Sequence, residues 1–498
     1  MLQAMTYNIN RLLQKFKQRP VLIVLILMII YTIYFSYFTI LKHQTFNSHA
    51  YDLGIYTQYL WTTLNGHGIL YAPGVGASSF GLHFQPILFF ILPLYAIFPQ
   101  AETLLVLQTL VLALGALPIY WLAKDELGAK FGVVFAGLYL LYPALHGVNQ
   151  HDFHPVALAI PILLFCFYMF KKKHYKRGII LAVLAMMCKE NVALIVLFMS
   201  LYWLWIEMRR GTSSLDWRNR LRRREIIYPT CLSLFVVICF VLAVYVIIPH
   251  FGSGEYPFFT LYGYNNIFGN LFMDVNTKLL YLFCLFGPLL FTSLLNPPAL
   301  LIGIPIFAQN LLSGITATYG IGFQYASPLI PWLFIASIYG IKWLLATQSK
   351  SNKDIRTKFI CILLPYAVVM ALVLSPSPIA LSRNMPRLTS HHTNLQQAIS
   401  LIPEDASVYT LNNLFPHICQ RLHAYTDRPK WGLNIFNYHG GNYDYLLTDS
   451  ASDPRVLNWG SDESQERLER EYGIYAQGDG IYLFKKGYDG EPFTLGEK

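Results

Sequence analysis

Basic residues are distributed very unevenly along this chain, and the stretches that lack them are strongly apolar. No lysine or arginine occurs between His43 and Ala123, whereas residues 171–177 read KKKHYKR and residues 209–224 contain seven arginines. In a polytopic membrane protein the loops rich in lysine and arginine stay on the cytoplasmic side of the bilayer. The alternation therefore predicts which loops face the cytoplasm and which face outward.

Composition supports the same class of protein. Apolar residues make up 55% of the 498 residues and charged residues only 13%. Apolar runs long enough to cross a hydrocarbon core of about 30 Å recur along the chain. The first run, residues 21–41, follows a basic N-terminus and is too long for a signal-peptide core, so it predicts a retained first span.

The net charge of +10 does not indicate binding to nucleic acid. Residues 376–498 carry a net charge of −4, from 11 Lys and Arg against 15 Asp and Glu, so the remainder carries +14. That excess lies in predicted cytoplasmic loops, where it orients helices and meets anionic lipid. Six of the seven cysteines lie in apolar segments and Cys419 lies in the tail, which predicts no disulfide framework.

The apolar runs predict an all-α polytopic protein with about ten spans, a re-entrant hairpin and an interfacial helix. Residues 1–20 form the predicted cytoplasmic N-terminus, 21–375 a transmembrane domain with an outer loop at 42–101, and 376–498 a small extracytoplasmic α/β domain. Prolines interrupt the short apolar run at 84–98, so we interpret this run as the interfacial helix. Spans are predicted near 21–41, 102–123, 131–148, 155–170, 228–249, 278–295, 298–313, 328–346 and 359–375.

Residues 178–206 begin and end beside cytoplasmic loops, which predicts a two-helix hairpin that does not cross the membrane. Its apex contains Lys189, Glu190 and Asn191. Charges buried at such a position are costly and are either functional or paired. The sequence leaves both interpretations open, a functional pair and a structural contact between Lys189 and Glu190.

Two groups of polar residues fall on the predicted outer face. Asp52 follows the first span within YDLGIYTQYLW, and its apolar neighbours would raise the pKa of its carboxyl group and suit it to accept a proton. His151, Asp152 and His154 form the motif HDFHP. Two imidazoles around a carboxylate suit a divalent metal or a phosphate. Alternatively, Asp52 is simply solvated, and Asp152 caps a helix with Pro155 in its first turn.

Two further outer loops, 250–277 and 314–327, are rich in tyrosine, phenylalanine and glycine, and the second contains Tyr325. They are interpreted either as aromatic residues of the membrane interface or as platforms on which a sugar stacks. The sequence contains no P-loop, GxSxG, paired CxxC or HExxH motif, so soluble-nucleotide chemistry is not expected.

The chain resembles a family of predicted bacterial and archaeal membrane proteins called domain of unknown function 2079. The resemblance covers most of the chain, and the family itself supplies no activity. It is carried by the strings YDLGIYTQYLW, HFQPILFFILPLYAIFP, LLVLQTLVLALGALPIYWLA, LYLLYPALHGVNQHDFHP, CKEN, FQYASPLIPWLFIA and LIPEDASVYTLNNLFPHICQR.

More distantly, the order of these features is similar to that of the GT-C glycosyltransferase superfamily, which places one acidic residue in the first outer loop and another in the next. Asp52 matches the first and Asp152 the second. His83 occupies the basic place of a short motif that opens the interfacial helix in lipid-linked aminoarabinose and mannosyl transferases. Asp152 stands alone where some members have paired acids, which leaves metal dependence open.

This resemblance implies a glycosyltransferase of the plasma (inner) membrane that uses a polyprenyl-phosphate sugar and an envelope glycan, lipid or protein acceptor. Asp52 and Asp152 are the predicted catalytic carboxylates, with Asp52 as general base. The predicted substrate and phosphate ligands are His83, His151, His154, Lys189, Glu190 and Tyr325. A divalent metal would use Asp52, Asp152 and His154. The alternatives are a lipid or glycolipid transporter without catalysis and a scaffold for envelope proteins.

Overall fold

The computed structural model describes residues 19–210, 224–252, 254–347, 353–426, 441–452 and 462–496. Most of the predicted N-terminal segment 1–20 and of the arginine-rich loop 209–224 lies outside these ranges. The described chain forms two compact units. Unit 1 contains the described parts of Met1–Ser36, His83–Ile87 and Leu107–Asn384. Unit 2 contains those of Tyr37–Leu82, Leu88–Val106 and Met385–Lys498.

Helices account for most of the chain. In order they are α1 (Val21–Gln44), α2 (Ile55–Leu64), α3 (Ser79–Leu82), α4 (Leu88–Ile97), α5 (Ala101–Leu114), α6 (Ala116–Leu127), α7 (Ala129–Leu140), α8 (Pro143–Gln150), α9 (Pro155–Lys171), α10 (Tyr175–Met186), α11 (Val192–Arg210), α12 (Arg224–Leu242), α13 (Ile248–Phe251), α14 (Phe258–Leu261), α15 (Ile267–Phe272), α16 (Val275–Phe286), α17 (Pro297–Leu300), α18 (Ile304–Leu311), α19 (Ile330–Thr347), α20 (Lys353–Leu374), α21 (Ser390–Ser400) and α22 (Asp462–Glu471). Residues Ala50–Gly54 and Ala243–Ile247 are π-helical.

Six helical stretches of the described chain are long and apolar enough to cross a membrane, or seven if the pair α7–α8, bent by 43°, forms one span. The six are Val21–Gln44, Ala101–Leu127, Val192–Arg209, Arg224–Phe251, Ile330–Thr347 and Arg356–Leu374. Shorter apolar helices lie at Leu88–Ile97, Pro155–Lys171, Val275–Leu289 and Pro297–Leu311. These stretches confirm the polytopic helical class. The candidate spans are fewer than the ten or so predicted, because the apolar runs near 155–170, 278–295 and 298–313 form helices shorter than 18 residues in the described chain.

The predicted hairpin at 178–206 has two unequal arms. Its first arm, α10, has only 12 residues. Its second arm, α11, is long and apolar enough to cross a membrane, although the sequence predicts an arm that does not cross. Length alone separates the two arms, since a span needs about 20 residues.

The core of unit 1 lies where α6, α7, α9 and α19 pack together. Trp332 of α19 is fully buried and meets Phe167 of α9 edge-on, with 6.0 Å between ring centroids. Tyr139 of α7 donates a hydrogen bond to the carbonyl of Leu112 at 2.9 Å. A Cβ atom at Gly115 would lie 2.2 Å from the Tyr139 hydroxyl, so only glycine permits this approach between α5 and α7.

A network of ion pairs around Glu126 joins three helices of unit 1, and a separate ion pair adds a fourth. Glu126 of α6 binds Lys171 of α9 and Lys342 of α19, each at 2.6 Å. Lys173, just after α9, binds Glu225 of α12 at 3.1 Å. The sequence assigns these ends of the four helices to the cytoplasmic side, and the structure gathers them at one place in unit 1.

Unit 2 contains the small C-terminal sheet that the sequence predicts. Its strands are β3 (Val408–Thr410), β4 (Ala424–Thr426), β5 (Tyr445–Asp449), β6 (Tyr472–Gly478), β7 (Ile481–Lys486) and β8 (Phe493–Thr494), in the order β4-β3-β5-β7-β6-β8. Strand β3 is parallel to β4 and β5, β6 is parallel to β8, and β7 is antiparallel to both β5 and β6. A separate pair, β1 (Tyr71–Ala72) and β2 (Ala77–Ser78), is antiparallel.

The outer loop contributes to the core of this sheet. Phe46 and Ala50 are buried in one apolar cluster with Leu395, Val408 and Phe415. The loop and the tail therefore share a core, an arrangement that the sequence analysis did not predict. All seven cysteines are free, as expected from their positions.

We expect Glu126→Gln to lower the stability of the detergent-solubilised protein by about 1 kcal/mol, because the change removes the charge that holds two lysines at a partly buried site. Thermal unfolding should show the loss at low salt and a smaller loss at high salt. Glu102→Gln is the matched control, since Glu102 makes no ion pair within the described residues. Equal effects of the two changes would contradict a structural role for the network.

Candidate functional site

A buried carboxylate organises the segment between α10 and α11, here called the apex segment (Cys188–Asn191). Glu190 is 2% exposed and accepts three hydrogen bonds. The donors are His83 Nδ1 at 2.9 Å, the backbone N–H of Phe84 at 3.1 Å and the Tyr256 hydroxyl at 2.9 Å. Two segments that are distant in sequence from Glu190, residues 83–84 and Tyr256, therefore converge on its side chain.

These partners keep Glu190 ionised. Burial by itself raises the pKa of a carboxyl group, because it removes the charged form from water. The charge and hydrogen bond of His83, followed by the charge of Lys189, outweigh burial and lower the pKa of Glu190 to about 2. The apex segment thus holds a permanent negative charge at neutral pH.

Lys189 is the neighbouring cation, and it is 7% exposed. Its ammonium lies 5.8 Å from the centre of the Phe258 ring, a cation–π distance. Among the described residues it makes no ion pair or hydrogen bond, so the direct contact with Glu190 considered from the sequence is not formed. Burial lowers the pKa of Lys189, and the charge of Glu190 opposes that effect.

Lys189 lines a cavity of about 190 Å³ in unit 1, here called the Lys189 cavity. One part of its wall comes from apolar residues of the candidate spans α11 and α12 with the π-helical turn that follows, namely Leu194, Phe240 and Val244. The polar lining consists of His83, Lys189, Glu190, Asn191, Tyr256, Tyr262, Tyr264 and Gln309. The cavity therefore joins an apolar wall to a set of charged and hydrogen-bonding groups.

The aromatic loop at 250–277 supplies a further part of this wall. The imidazole of His83 stacks on Phe258 with 4.2 Å between ring centroids and 6° between planes. Tyr256 and Tyr262 each pack on Phe258 at 5.4 Å, and Tyr262 meets Tyr325 edge-on at 6.2 Å. The sequence identified this loop only by its aromatic content and did not single out Tyr256 or Tyr264.

The HDFHP motif forms a second group in unit 1, held by Gln108 of α5. The Gln108 amide donates to the carbonyl of Asp152 at 2.6 Å, and its oxygen accepts the backbone N–H of His154 at 2.8 Å. Asp152 is 2% exposed and adopts the left-handed conformation, with φ of 51°. Helix α9 begins at Pro155 as predicted, but its N-cap residue is His154, so the predicted cap by Asp152 is wrong.

The two histidines of this motif stack on each other, with 5.2 Å between ring centroids. His151 also meets Phe323 edge-on at 4.8 Å, two residues before Tyr325. A Cβ atom at Gly147 would lie 1.7 Å from the carbonyl oxygen of Ile321, so glycine allows α8 to approach this loop. The predicted residues of unit 1 thus form two groups, the Lys189 cavity and HDFHP.

Asp52 belongs to unit 2, where it is half-buried in the π-helical turn Ala50–Gly54. The backbone N–H of Ala50 donates to the carbonyl and side-chain oxygens of Asn412, each at 2.9 Å. A Cβ atom at Gly54 would lie 2.6 Å from the Phe415 ring. The turn is therefore anchored to the C-terminal part of unit 2. The predicted metal ligands Asp52, Asp152 and His154 draw on both units and stay a prediction.

We expect Glu190→Gln to destabilise the folded protein by about 2–4 kcal/mol, since it replaces a charge that three donors surround. Lys189→Met should cost less, because Glu190 keeps its three hydrogen bonds. The pKa of Glu190, about 2 when folded, lies below the value of about 4.3 for a free glutamate. The difference in unfolding free energy between wild type and Glu190→Gln should therefore be fully present above about pH 4.3. It should disappear as the pH falls toward 2. Thermal unfolding across this pH range measures it, and a larger loss from Lys189→Met would contradict the assignment of partners.

Solved structures that share this fold include the following two. ArnT from Cupriavidus metallidurans bound to undecaprenyl phosphate has a TM-score of 0.54 and 12% identity, over 93% of this chain and 97% of ArnT. The Archaeoglobus fulgidus oligosaccharyltransferase in complex with Zn and sulfate has a TM-score of 0.50 and 11% identity, over 92% of this chain and 73% of that protein. These similarities confirm the GT-C-like fold class expected from the sequence.

Sequence comparison gives the family. No curated protein matches the chain. A family model described as "Predicted membrane protein (DUF2079)" matches residues 42–483, which is most of its length. The chain therefore belongs to the DUF2079 family of predicted membrane proteins.

Proposed function

We propose that this protein is a membrane glycosyltransferase that moves a sugar from a polyprenyl-phosphate donor to an envelope acceptor. The observation that carries the proposal is the Lys189 cavity. There, a buried ammonium without a direct anionic partner in the described residues lies beside the apolar residues of two candidate spans. A lipid phosphate offers both a negative headgroup and an apolar chain, and so matches both parts of this wall.

The polar groups of the cavity suit a phosphate. An ammonium in a low-dielectric site forms strong charge-assisted hydrogen bonds to phosphate oxygens. Glu190 holds His83 through Nδ1 and so orients its Nε2. Burial and the charge of Lys189 lower the pKa of His83 against the effect of Glu190, and the negative charge of a bound phosphate would favour the protonated ring. When protonated, Nε2 would donate to the same phosphate. Tyr256 and Tyr264 add hydroxyl groups to the lining.

The shared fold supports a lipid-linked donor. ArnT, whose structure holds undecaprenyl phosphate, aligns with 93% of this chain. The second neighbour is named an oligosaccharyltransferase. At 12% and 11% identity these proteins show the fold, while the substrate class rests on the chemistry of the cavity.

The proposed reaction is a single inverting displacement. The oxygen of an acceptor hydroxyl attacks the anomeric carbon while the bond from that carbon to the phosphate oxygen breaks. The electron pair of that bond leaves with the polyprenyl phosphate, and the hydroxyl proton passes to Asp52, the general base predicted from the sequence. Lys189 and His83 would stabilise the departing phosphate as its charge grows. His151, His154 and Tyr325 stay predicted ligands of the same substrate.

A divalent cation stays a prediction, because the HDFHP motif alone does not bring three ligand atoms close enough together for one metal ion among the described residues. The imidazoles of the motif and the buried Asp152 carboxylate offer nitrogen and oxygen donors of the kind that zinc and manganese accept. Such a cation would neutralise phosphate charge when bound. The role proposed for Lys189 and His83 does not depend on it.

Asp52→Asn keeps the side-chain shape and removes its basicity, so we expect it to lower sugar transfer by roughly 10²–10⁴-fold. Binding of the donor should be nearly unchanged. Lys189→Met should show the opposite pattern and weaken binding of undecaprenyl phosphate by at least about 10-fold. Transfer of a radiolabelled sugar and donor-induced thermal shift measure the two quantities.

Lys278→Met is the matched control for Lys189→Met, since Lys278 is also buried but donates to the Asn270 carbonyl and does not line the Lys189 cavity. Transfer by Asp52→Asn at the wild-type rate would end the assignment of the base. A wild-type protein that binds the lipid but transfers no sugar would instead support the transporter.

The proposal places the reaction on the outer face, with a cytoplasmic N-terminus and an extracytoplasmic tail. In a cysteine-free background, a membrane-impermeant maleimide added to intact cells should label Asn265→Cys and Glu469→Cys but not His174→Cys, three exposed positions. The positive-inside distribution is the reason for this expectation. Labelling of His174→Cys from outside would reverse the orientation.

A further inference from the structure

Unit 2 contains a second, larger cavity of about 540 Å³, here called the unit 2 cavity. It opens between the start of the outer loop, α21 and the ends of β3 and β5. It is lined by Thr45, Phe46, Asn47, His49, His391, His392, Leu395, Leu411, Asn412, Asn413, Asp449, Ala451 and Ser452. Amide, hydroxyl and imidazole groups dominate this lining, and Phe46 with two leucines adds an apolar part.

The charged groups of this cavity already neutralise one another. His391 lies 3.2 Å from Asp449 through Nε2 and 2.9 Å from Asp479 through Nδ1. Burial by itself lowers the pKa of His391, but the hydrogen bond to Asp479 and the charges of the two carboxylates outweigh it and raise the pKa. Nδ1 is hydrogen-bonded to Asp479, whereas Nε2 is paired with Asp449 through charge without a hydrogen bond. His391 is therefore not available as a cation for an anionic ligand.

Uncommitted amide atoms remain in the lining. The side-chain oxygen of Asn412 accepts the N–H of Ala50, while its NH₂ group has no hydrogen-bond partner among the described residues. Asn413 donates to the Phe46 carbonyl at 3.2 Å and to Ser452 at 2.9 Å, which leaves its side-chain oxygen able to accept. Asn47 donates to Thr45, so its side-chain oxygen is also an available acceptor.

Neutral amide donors and acceptors beside apolar surface are the chemistry that recognises a sugar, whose hydroxyl groups need hydrogen bonds and whose C–H face packs on apolar side chains. We infer that the unit 2 cavity binds a neutral carbohydrate, and that this carbohydrate is the acceptor of the transfer reaction. The inference rests on the proposed function, because it names the second substrate of that reaction.

The cavity is connected to Asp52 through the backbone. Asn412 lines it and holds Ala50, the first residue of the turn that carries Asp52. His49, another lining residue, immediately precedes the same turn. A sugar bound in this cavity would therefore contact residues next to the turn that contains Asp52, the proposed base. This arrangement suits the acceptor, because the acceptor hydroxyl must lose its proton to that base.

Ala451→Trp tests the inference, since Ala451 is exposed and lines the cavity, so that an indole fills the cavity without disturbing a core. Ser400→Trp is the matched control, at an exposed position on α21 outside the lining. A second variant, Asn47→Leu, keeps the approximate side-chain size and removes an amide. The probe is an array of neutral, amino and acidic oligosaccharides, incubated with the full-length protein in detergent.

We expect the wild type and Ser400→Trp to bind neutral oligosaccharides alike. Ala451→Trp should weaken binding by at least about 10-fold and Asn47→Leu by roughly 3–10-fold, the scale of one lost hydrogen bond. In the transfer assay, Ala451→Trp should raise KM for the acceptor and leave binding of undecaprenyl phosphate unchanged. Equal binding by Ala451→Trp and wild type, preference for acidic sugars, or no binding by wild type would each overturn the inference.

Measuring donor binding distinguishes failure of the acceptor-site inference from failure of the proposed function. If the wild type binds undecaprenyl phosphate and transfers sugar while Ala451→Trp leaves the acceptor KM unchanged, the acceptor site is wrong and the proposed function stands. If the wild type does not bind the donor at all, the proposed function fails. Sugar binding that Ala451→Trp weakens would then still establish a carbohydrate site in unit 2.

Discussion

The proposed donor site depends on the hydrogen bonds that the buried carboxylate of Glu190 accepts. A carboxylate removed from water is unstable unless donors and cations surround it, and here three donors come from two separate segments, residues 83–84 and Tyr256. The contact ties the apex segment to His83 at the start of the interfacial region and to Tyr256 in the aromatic loop. Without it, these segments would lose the charge that brings them together.

The same interaction explains why a lysine can be buried next to it. The negative charge of Glu190 favours the charged form of Lys189 without engaging it directly, since Glu190 is already bonded to His83, Phe84 and Tyr256. The ammonium is therefore held in a low-dielectric wall while its hydrogen bonds stay available. The site is therefore preorganised for an anion. Preorganised charges stabilise a developing negative charge effectively because they need no rearrangement during the reaction.

Hydropathy sufficed to predict the apolar helices, because each depends on the composition of its own residues. It did not give the number of spans, since six or seven stretches of the described chain are long enough to cross a membrane, against about ten predicted. Local apolar runs at 406–411, 443–447 and 480–484 likewise predict strands in the tail, and strands occur at 408–410, 445–449 and 481–486. Lys189 and Glu190 were singled out as charges at the apex of an apolar hairpin, and His83 through the motif that resembles lipid-linked sugar transferases. The structure brings these three residues together.

Contacts between distant residues were not predictable in this way. Tyr256 binds Glu190 across 66 residues, and nothing in the composition of its loop distinguishes it from its aromatic neighbours. The packing of Phe46 and Ala50 into the sheet of unit 2 joins segments that the sequence analysis placed in separate domains. Within HDFHP, the cap was misplaced by two residues because Gln108 holds the backbone in a conformation that the motif alone does not reveal.

A cryo-EM structure of the full-length protein with undecaprenyl phosphate is the most direct test of the central claim, that the Lys189 cavity is a lipid-phosphate site. The account predicts density for the phosphate within hydrogen-bonding distance of the Lys189 ammonium, with the prenyl chain leaving along the apolar wall at Leu194, Phe240 and Val244. Phosphate density elsewhere, with Lys189 still directed only at the Phe258 ring, would contradict it.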